Sequence, residues 1–306
     1  MSGISLPTYA TAAERIWHYV FMTLCGAVLL FLILPILVVV PLSFNAEPYF
    51  SFTSGMLKLD PKAYSLKWYA DMLDNGTSGR FAAGTWEWVK DLWYNAQWVI
   101  AAKNSFFIGI IATILATTLG TIAAVGLSSP NMPYRTAITS LLISPMIVPV
   151  VVTATGAYFF LADIGLVKSY TGVILMHAML GIPFVIITVT ATLQGFDRNL
   201  IRAAESLGAK WYITFFKVVL PLIIPGMVSG ALFAFTTSFD EVVAVLFIAD
   251  IEQRTIPRQM WSGIREQISP TILAVATILI VISISLLSTI EMLRRRSERM
   301  RGITPS

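Results

Sequence analysis

The sequence is poor in charge. Asp, Glu, Lys and Arg together make up 12% of its 306 residues, about half the ~25% of an ordinary soluble domain. So few charges cannot solvate a globular surface of this size, which excludes a soluble globular protein and leaves a chain facing lipid, or other helices within lipid. Cysteine is nearly absent. Cys25 is the only one and sits in an apolar run, so neither an internal disulfide nor a cysteine metal cluster can form. The sequence also has no His-Glu-x-x-His, no paired metal-ligand spacing and no Gly-x-Ser-x-Gly turn, which argues against an intramembrane enzyme. Gly-x-x-x-x-Gly-Lys-[Ser/Thr] is missing too, so no P-loop for ATP is expected.

Apolar sequence is what the chain has in quantity, with 56% hydrophobic residues and a mean hydropathy of +0.76. Long apolar runs stand at about 19–43, 99–127, 136–161, 171–193, 219–249 and 271–293. About 20 helical residues cross the roughly 30 Å hydrocarbon core, so the expected fold class is all-α, a polytopic membrane protein with six transmembrane helices. The first run is too long for a signal-peptide core of roughly 7–15 residues. Pro145 and Pro149 break the third run, Pro183 breaks the fourth, and Pro221 and Pro225 open the fifth. Proline is tolerated within spans when neighbours satisfy the freed backbone groups, so these positions predict kinks.

With no internal repeat, the sequence reads as one domain. Its parts are a 1–18 N-terminal segment, a 19–43 first helix, a long 44–98 external loop, a 99–293 core carrying the 194–218 loop, and a 294–306 basic tail. The net charge of +4 fits basic residues gathered on the cytoplasmic side of the spans. Arg294, Arg295, Arg296, Arg299 and Arg301 follow the last run; Arg135 lies in the 128–135 connection, and Arg198, Arg202, Lys210 and Lys217 in the 194–218 loop. Both termini are therefore expected in the cytoplasm. A lipid-binding role for the tail is compatible with this. The 44–97 stretch is rich in aromatics, among them Tyr49, Trp68, Trp86, Trp88, Trp93 and Tyr94. Two readings fit it: helices at headgroup level, or a contact surface for an external partner.

The 194–218 loop carries the most specific signal. Asp197 or Asn199 can cap a helix start. Leu200, Ala203, Ala204 and Leu207 then fall at i, i+3, i+4 and i+7, and Gly208 follows as a left-handed stop. The apolar face is small and alanine-rich. It suits close approach by a protein groove better than insertion in lipid, where bulkier anchors are usual; a membrane-surface connector is the rival reading.

This loop resembles the signature of permeases of binding-protein-dependent ABC importers: Glu-Ala-Ala, three residues, Gly, nine residues, Ile, one residue, Leu-Pro. Here it reads Arg202-Ala203-Ala204, Gly208, Val218, then Leu220-Pro221. The departure is Arg202 in place of Glu, with Glu205 one turn later. Further on, Ser238-Phe239-Asp240-Glu241, Thr255–Arg265 and Ile268–Thr271 resemble the PotC-type permeases of spermidine/putrescine importers, with Asn104-Ser105, His177 and Pro183 in support.

The resemblance implies a MetI-like permease fold and a non-catalytic transport subunit. Arg202, Ala203, Ala204, Glu205, Leu207 and Gly208 would form the ATPase-coupling loop. The implied partners are an ATP-binding subunit dimer, a second homologous permease and an external substrate-binding protein. ATP and Mg would be bound by the ATPase, with no cofactor in this chain. The implied cargo is a small cationic solute such as a polyamine. Alternatives are an opine, an amino-acid-like or another small solute, and an autonomous secondary carrier, against which the lack of paired broken helices speaks.

Four features within the spans remain to be placed. A charge in the bilayer core costs about 2.5–3.5 kcal/mol on insertion scales, so Asp240 and Glu241, read in the outer third of the fifth span, either line the cargo path, bond a neighbouring helix or sit at the outer interface. His177 is read as a helix-contact residue, with a proton relay as the alternative. Asn104 and Ser105 are expected to bond across helices. The run Gly109, Ala112, Ala116, Gly120 predicts close helix packing, with a second permease subunit as one candidate partner.

Overall fold

The computed structural model describes residues 11–129, 131–195, 197, 199–266 and 269–300. Arg198, Ile268 and Arg301, singled out above, lie outside the described residues, as do residues 1–10 of the N-terminal segment. Every described element is helical apart from one isolated bridge between Asn45 and Tyr64. Where the sequence reads as one domain, the chain divides into two compact units, Met1–Asp74 with Glu266–Ser306 and Asn75–Arg265.

In the first unit, α1 (Ala12–Leu42) starts at a capping box. Thr11 Oγ1 accepts from the Glu14 amide, and Glu14 returns a carboxylate to the Thr11 amide. It begins seven residues before the predicted 19–43 span because that cap, rather than hydropathy, sets its start. Its side chains are exposed along most of its length, Phe31 by 74%, as expected for a helix whose solvent is lipid. After it, buried Asn45 knots the chain by donating to the Tyr49 and Ser51 carbonyls and accepting from the Glu47 amide. The Trp68 indole donates to the Asn45 carbonyl at 2.7 Å. The short α2 (Ser54–Leu57) and a 3-10 turn at Pro61–Ala63 lead to α3 (Lys67–Asp74).

In the second unit, α4 (Trp86–Asn95) precedes α5 (Gln97–Leu127). A bent pair follows, α6 (Arg135–Ile147) and α7 (Val150–Asp163), meeting at 104°. The cause is local: Val148 precedes Pro149, is pushed to extended backbone (ψ 135), and Pro149 restarts the chain as the N-cap of α7. After α8 (Tyr170–Gln194) come α9 (Asn199–Ser206), α10 (Trp211–Thr214), a π-helical turn at Phe215–Val219 and α11 (Leu220–Asp240). Pro183 lies within α8 without breaking it. The unit closes with α12 (Val243–Ile248) and α13 (Ile256–Glu266); α14 (Thr271–Met300) returns to the first unit, where the Thr271 hydroxyl donates to Asp71 at 2.5 Å.

The core of the second unit is α5, α8 and α11 in mutual contact. Small residues let the backbones approach: a Cβ on Gly120 would stand 2.7 Å from Val185 Cβ, and one on Gly230 2.5 Å from Thr188 Oγ1. Such packing substitutes for the hydrophobic drive that lipid does not supply. It bears out the expected close packing and names the partner. Ala112 and Ala116 are buried against α8 and α11 of the same chain, so the small-residue run is spent within the chain and not on a second permease.

The predicted 219–249 span is corrected. Its helix stops at Asp240 because Glu241 adopts extended backbone (ψ 119) and turns its carboxylate onto the Ala244 amide at 2.9 Å, starting α12. Ala244, Val245 and Ile248 are then buried with Ile108, Ala154 and Val173. Their hydropathy reflects protein burial rather than lipid exposure. Four helices are long and apolar enough to cross a membrane, the α6–α7 pair would be a fifth, and the apolar part of α14, Thr271–Ser285, is shorter; six spans are consistent with this.

Candidate functional site: the two ends of the helical core

At one end of the core, α9 is built as a free-standing knuckle. Asp197 Oδ1 accepts from the Asn199 amide at 2.9 Å and caps its start. At its finish the Ala209 amide reaches back to the Ala204 carbonyl at 3.0 Å and Gly208 to Glu205 at 2.9 Å. This paired closure requires a left-handed residue, and Gly208 has φ +80. Open space surrounds the position a Gly208 Cβ would occupy.

The predicted apolar face divides. Leu207 is 89% exposed and Leu200 45%, with Ala203 exposed beside them, whereas Ala204 is half-buried. The sequence reading missed Ile201, which packs against the core cluster containing Val219 and Ile223. Its signal was the i, i+3 pair Ile201–Ala204, overlooked in favour of the face one residue back. Arg202 and Glu205 are exposed, so most of the residues expected to couple face outward, while Ile201 anchors the helix to the core.

At the opposite end the chain is tied down. The Asn104 amide of α5 donates to the carbonyls of Glu252 (2.7 Å) and Arg254 (2.9 Å), and its Oδ1 accepts from the Tyr170 hydroxyl at 2.9 Å. Ser105 Oγ accepts from the Ile256 amide at 2.8 Å. Asn104 thus makes the expected bond across helices, to Tyr170 of α8, and with Ser105 it also holds the 252–256 loop. The Arg254 guanidinium donates to Gln259 Oε1 at 2.5 Å and the Gln259 amide to Gln97 at 3.2 Å. Asp250 accepts from the Ile251 amide at 2.8 Å and pairs with Lys168 at 3.3 Å; these two partners hold its carboxyl below the usual carboxylate range. In the 75–97 stretch Asp91 accepts from Asn95 (2.6 Å) and Ser78 (2.7 Å), which depress its pKa in that order against the effect of burial.

Between the two ends, His177 is 1% exposed. Its Nδ1 lies 2.7 Å from Ser238 Oγ, joining α8 to α11, and its Nε2 has no partner among the described residues. The structure does not bring Asp240 and Glu241 together as an acidic pair. Glu241 is occupied as the α12 cap, while Asp240 is exposed at the helix end. No cluster of three or more His, Cys, Asp or Glu side chains suited to a metal occurs among the described residues.

A polytopic helical membrane protein with an exposed knuckle on one end of its core is the class these features define. Residues 116–299 match the model of the family described as binding-protein-dependent transport system inner membrane component, and the chain belongs to that family. It is the membrane permease subunit of an ABC importer; it is not itself catalytic, and the ATPase is a separate subunit. It is 30% identical over 213 residues to the spermidine/putrescine transport system permease protein PotC of Haemophilus influenzae, covering 70% of this chain and 83% of that one. Against the putrescine transport system permease protein PotI of Escherichia coli K12 it is 26% identical, covering 89% and 90%. The crystal structure of a bacterial ABC transporter that imports the acidic polysaccharide alginate shares the fold, with a TM-score of 0.69 at 15% identity over 94% of this chain and 99% of that one. Importers of this family work with an ATPase, a substrate-binding protein and a second permease, and the homologous permeases are inner-membrane proteins.

Proposed function

We propose that this permease carries a small cationic organic solute, a polyamine of the putrescine or spermidine class, inward across the membrane by alternating access. The observation that carries the reading is the likeness to spermidine/putrescine permeases at 30% identity over most of both chains. The lone Asp240 carboxylate supports it, placed at the far end of α11 to meet a cation as it leaves the binding protein. The loop at Arg202, Ala203, Ala204, Glu205, Leu207 and Gly208 docks on an ATP-binding subunit, which holds the ATP and Mg. Its exposed Leu200, Ala203 and Leu207 supply the contact, and Ile201 passes the push to the core. Both termini lie in the cytoplasm, in keeping with the arginines after the last span. The complete assembly is a heterodimer of permeases on two ATPases.

The test is uptake of labelled putrescine by cells carrying the whole importer, compared with cells lacking this chain. Uptake lost with the chain and competed by spermidine supports the reading. Competition by an opine or an amino acid, with none by amines, overturns it.

A further inference from the structure

We infer that α4 is a lipid-docking helix: its Trp86, Val89 and Trp93 face lies in the membrane interface, and Lys90 and Lys103 hold phospholipid phosphates there.

The face belongs to a helix whose other side is tied down. Trp86, Val89 and Trp93 fall at i, i+3 and i+7 and are all exposed. On the opposite side Asp91 is buried and bonded to Ser78 and Asn95, with Trp88 and Leu92 half-buried. Glu87, the one exposed acid of α4, lies about 100° round from Trp86. The outward face therefore presents apolar side chains and a cation.

Its neighbours make lipid the occupant. A single residue, Ala96, separates α4 from α5, which is long and apolar enough to cross a membrane. Ala96 is fully buried, and the Gln97 amide donates to the Asn75 carbonyl at 2.9 Å, so this corner is fixed. Lys103 stands about 9 Å along α5 from its first residue. Its ammonium reaches back to α4, donating to the Trp93 carbonyl and lying 4.5 Å from the Trp93 ring centroid. A lysine within a span lifts its charge in this way to the headgroup level, which puts Trp93 at that level. Beyond Lys103, the exposed Phe107, Ile110 and Ile114 continue the same face of α5 at i+4, i+7 and i+11. The face of α4 is thus continuous with an apolar stripe that runs on into the membrane.

The ligand class follows from the cations. Lys90 lies 5.6 Å from the Trp86 ring centroid and has no hydrogen-bond or ion-pair partner among the described residues. Each ammonium keeps donors to spare, and each stands over an indole whose ring takes up glycerol and the first methylenes. A phosphate ester meets both needs, and an acidic phospholipid adds net negative charge. Bulky tryptophans beside lysines are what a helix lying in the interface carries, and the small alanine face of α9 has neither.

The experiment uses the complete importer in nanodiscs, cleared of other cysteines and labelled with bimane at Val89→Cys, with Glu87→Cys as the control. At Val89, phosphatidylglycerol spin-labelled near its headgroup should quench strongly, and aqueous iodide far less than at Glu87. Adding loaded binding protein should change neither. Lys90→Gln with Lys103→Gln should lower the preference for spin-labelled phosphatidylglycerol over phosphatidylcholine by about fivefold for each lysine. Equal iodide quenching at the two labels would overturn the inference, and its loss on adding the binding protein would assign the face to that protein. Competition by inorganic phosphate would assign the cations to a free anion and overturn lipid docking. A phosphatidylglycerol preference untouched by the lysine changes would overturn the headgroup contacts.

Discussion

The two ends of the α5–α8–α11 core are built on opposite principles. At the 252–256 end, Asn104, Ser105 and Tyr170 saturate the backbone of a loop with side-chain hydrogen bonds. At the α9 end a short helix keeps itself together with its own caps, and its apolar side chains stay exposed. The first arrangement holds a shape without help from another chain. The second holds only its internal geometry, so its position is available to be set by a partner. On the docking proposed above, Ile201 is the side chain through which a push reaches the core.

The comparison breaks most readily at Asn104. Asn104→Ala removes bonds to two carbonyls and to the Tyr170 hydroxyl, at about 1 kcal/mol each. A loss of about 3 kcal/mol is expected, read as a lower melting temperature in detergent and early proteolysis within 249–256. An unchanged melting temperature would show that the clamp is not what holds this end.

A smaller structural effect with a larger functional one is expected at Gly208. Gly208→Asp forces a side chain into φ +80, costing about 1–2 kcal/mol locally, with room for the added atoms. The protein should insert in normal amount while ATP hydrolysis separates from uptake. Leu207→Ala sharpens the point, because at 89% exposure it should shift stability by no more than about 0.5 kcal/mol and still lower coupled uptake. Normal uptake by both variants would remove α9 from the docking surface.

The smallest effect is at Asp250. Its carboxyl is held below the ordinary value by the Ile251 amide and by Lys168. A depressed folded pKa contributes stability that is complete above the unfolded value of 3.8 and is lost as pH falls through the folded one. Protease sensitivity of 249–255 should therefore be flat from pH 7 to pH 5 and rise only below about pH 4. In Lys168→Met the rise should begin at higher pH. A rise starting at pH 6 in the wild type would assign the change to another group.

Much of this was legible in the sequence, for reasons that differ by residue. The knuckle could be read because Asp197 and Gly208 act through local backbone chemistry, which neighbours in sequence determine. The buried small residues could be read as a packing stripe, but not what they pack on. Gly120 meeting Val185 is a contact between distant parts of the chain, and no spacing reports it. Hydropathy failed at 242–249 because burial by α7 and α8 and exposure to lipid select the same side chains. The cap role of Glu241 could not be read because a carboxylate that caps a helix looks, in sequence, like one that waits for a ligand.

The π-helical turn at Phe215–Val219 gives the family spacing a different meaning. It lies inside the interval from Gly208 to Leu220-Pro221 and winds more residues into each turn than an α-helix does. The spacing from Gly208 to Leu220-Pro221 therefore sets an angle about the helix axis as well as a length. Inserting one residue into the regular α-helical winding that follows the turn would swing the α9 knuckle about 100° around the α11 axis, so that an intact, correctly capped α9 would face the wrong way.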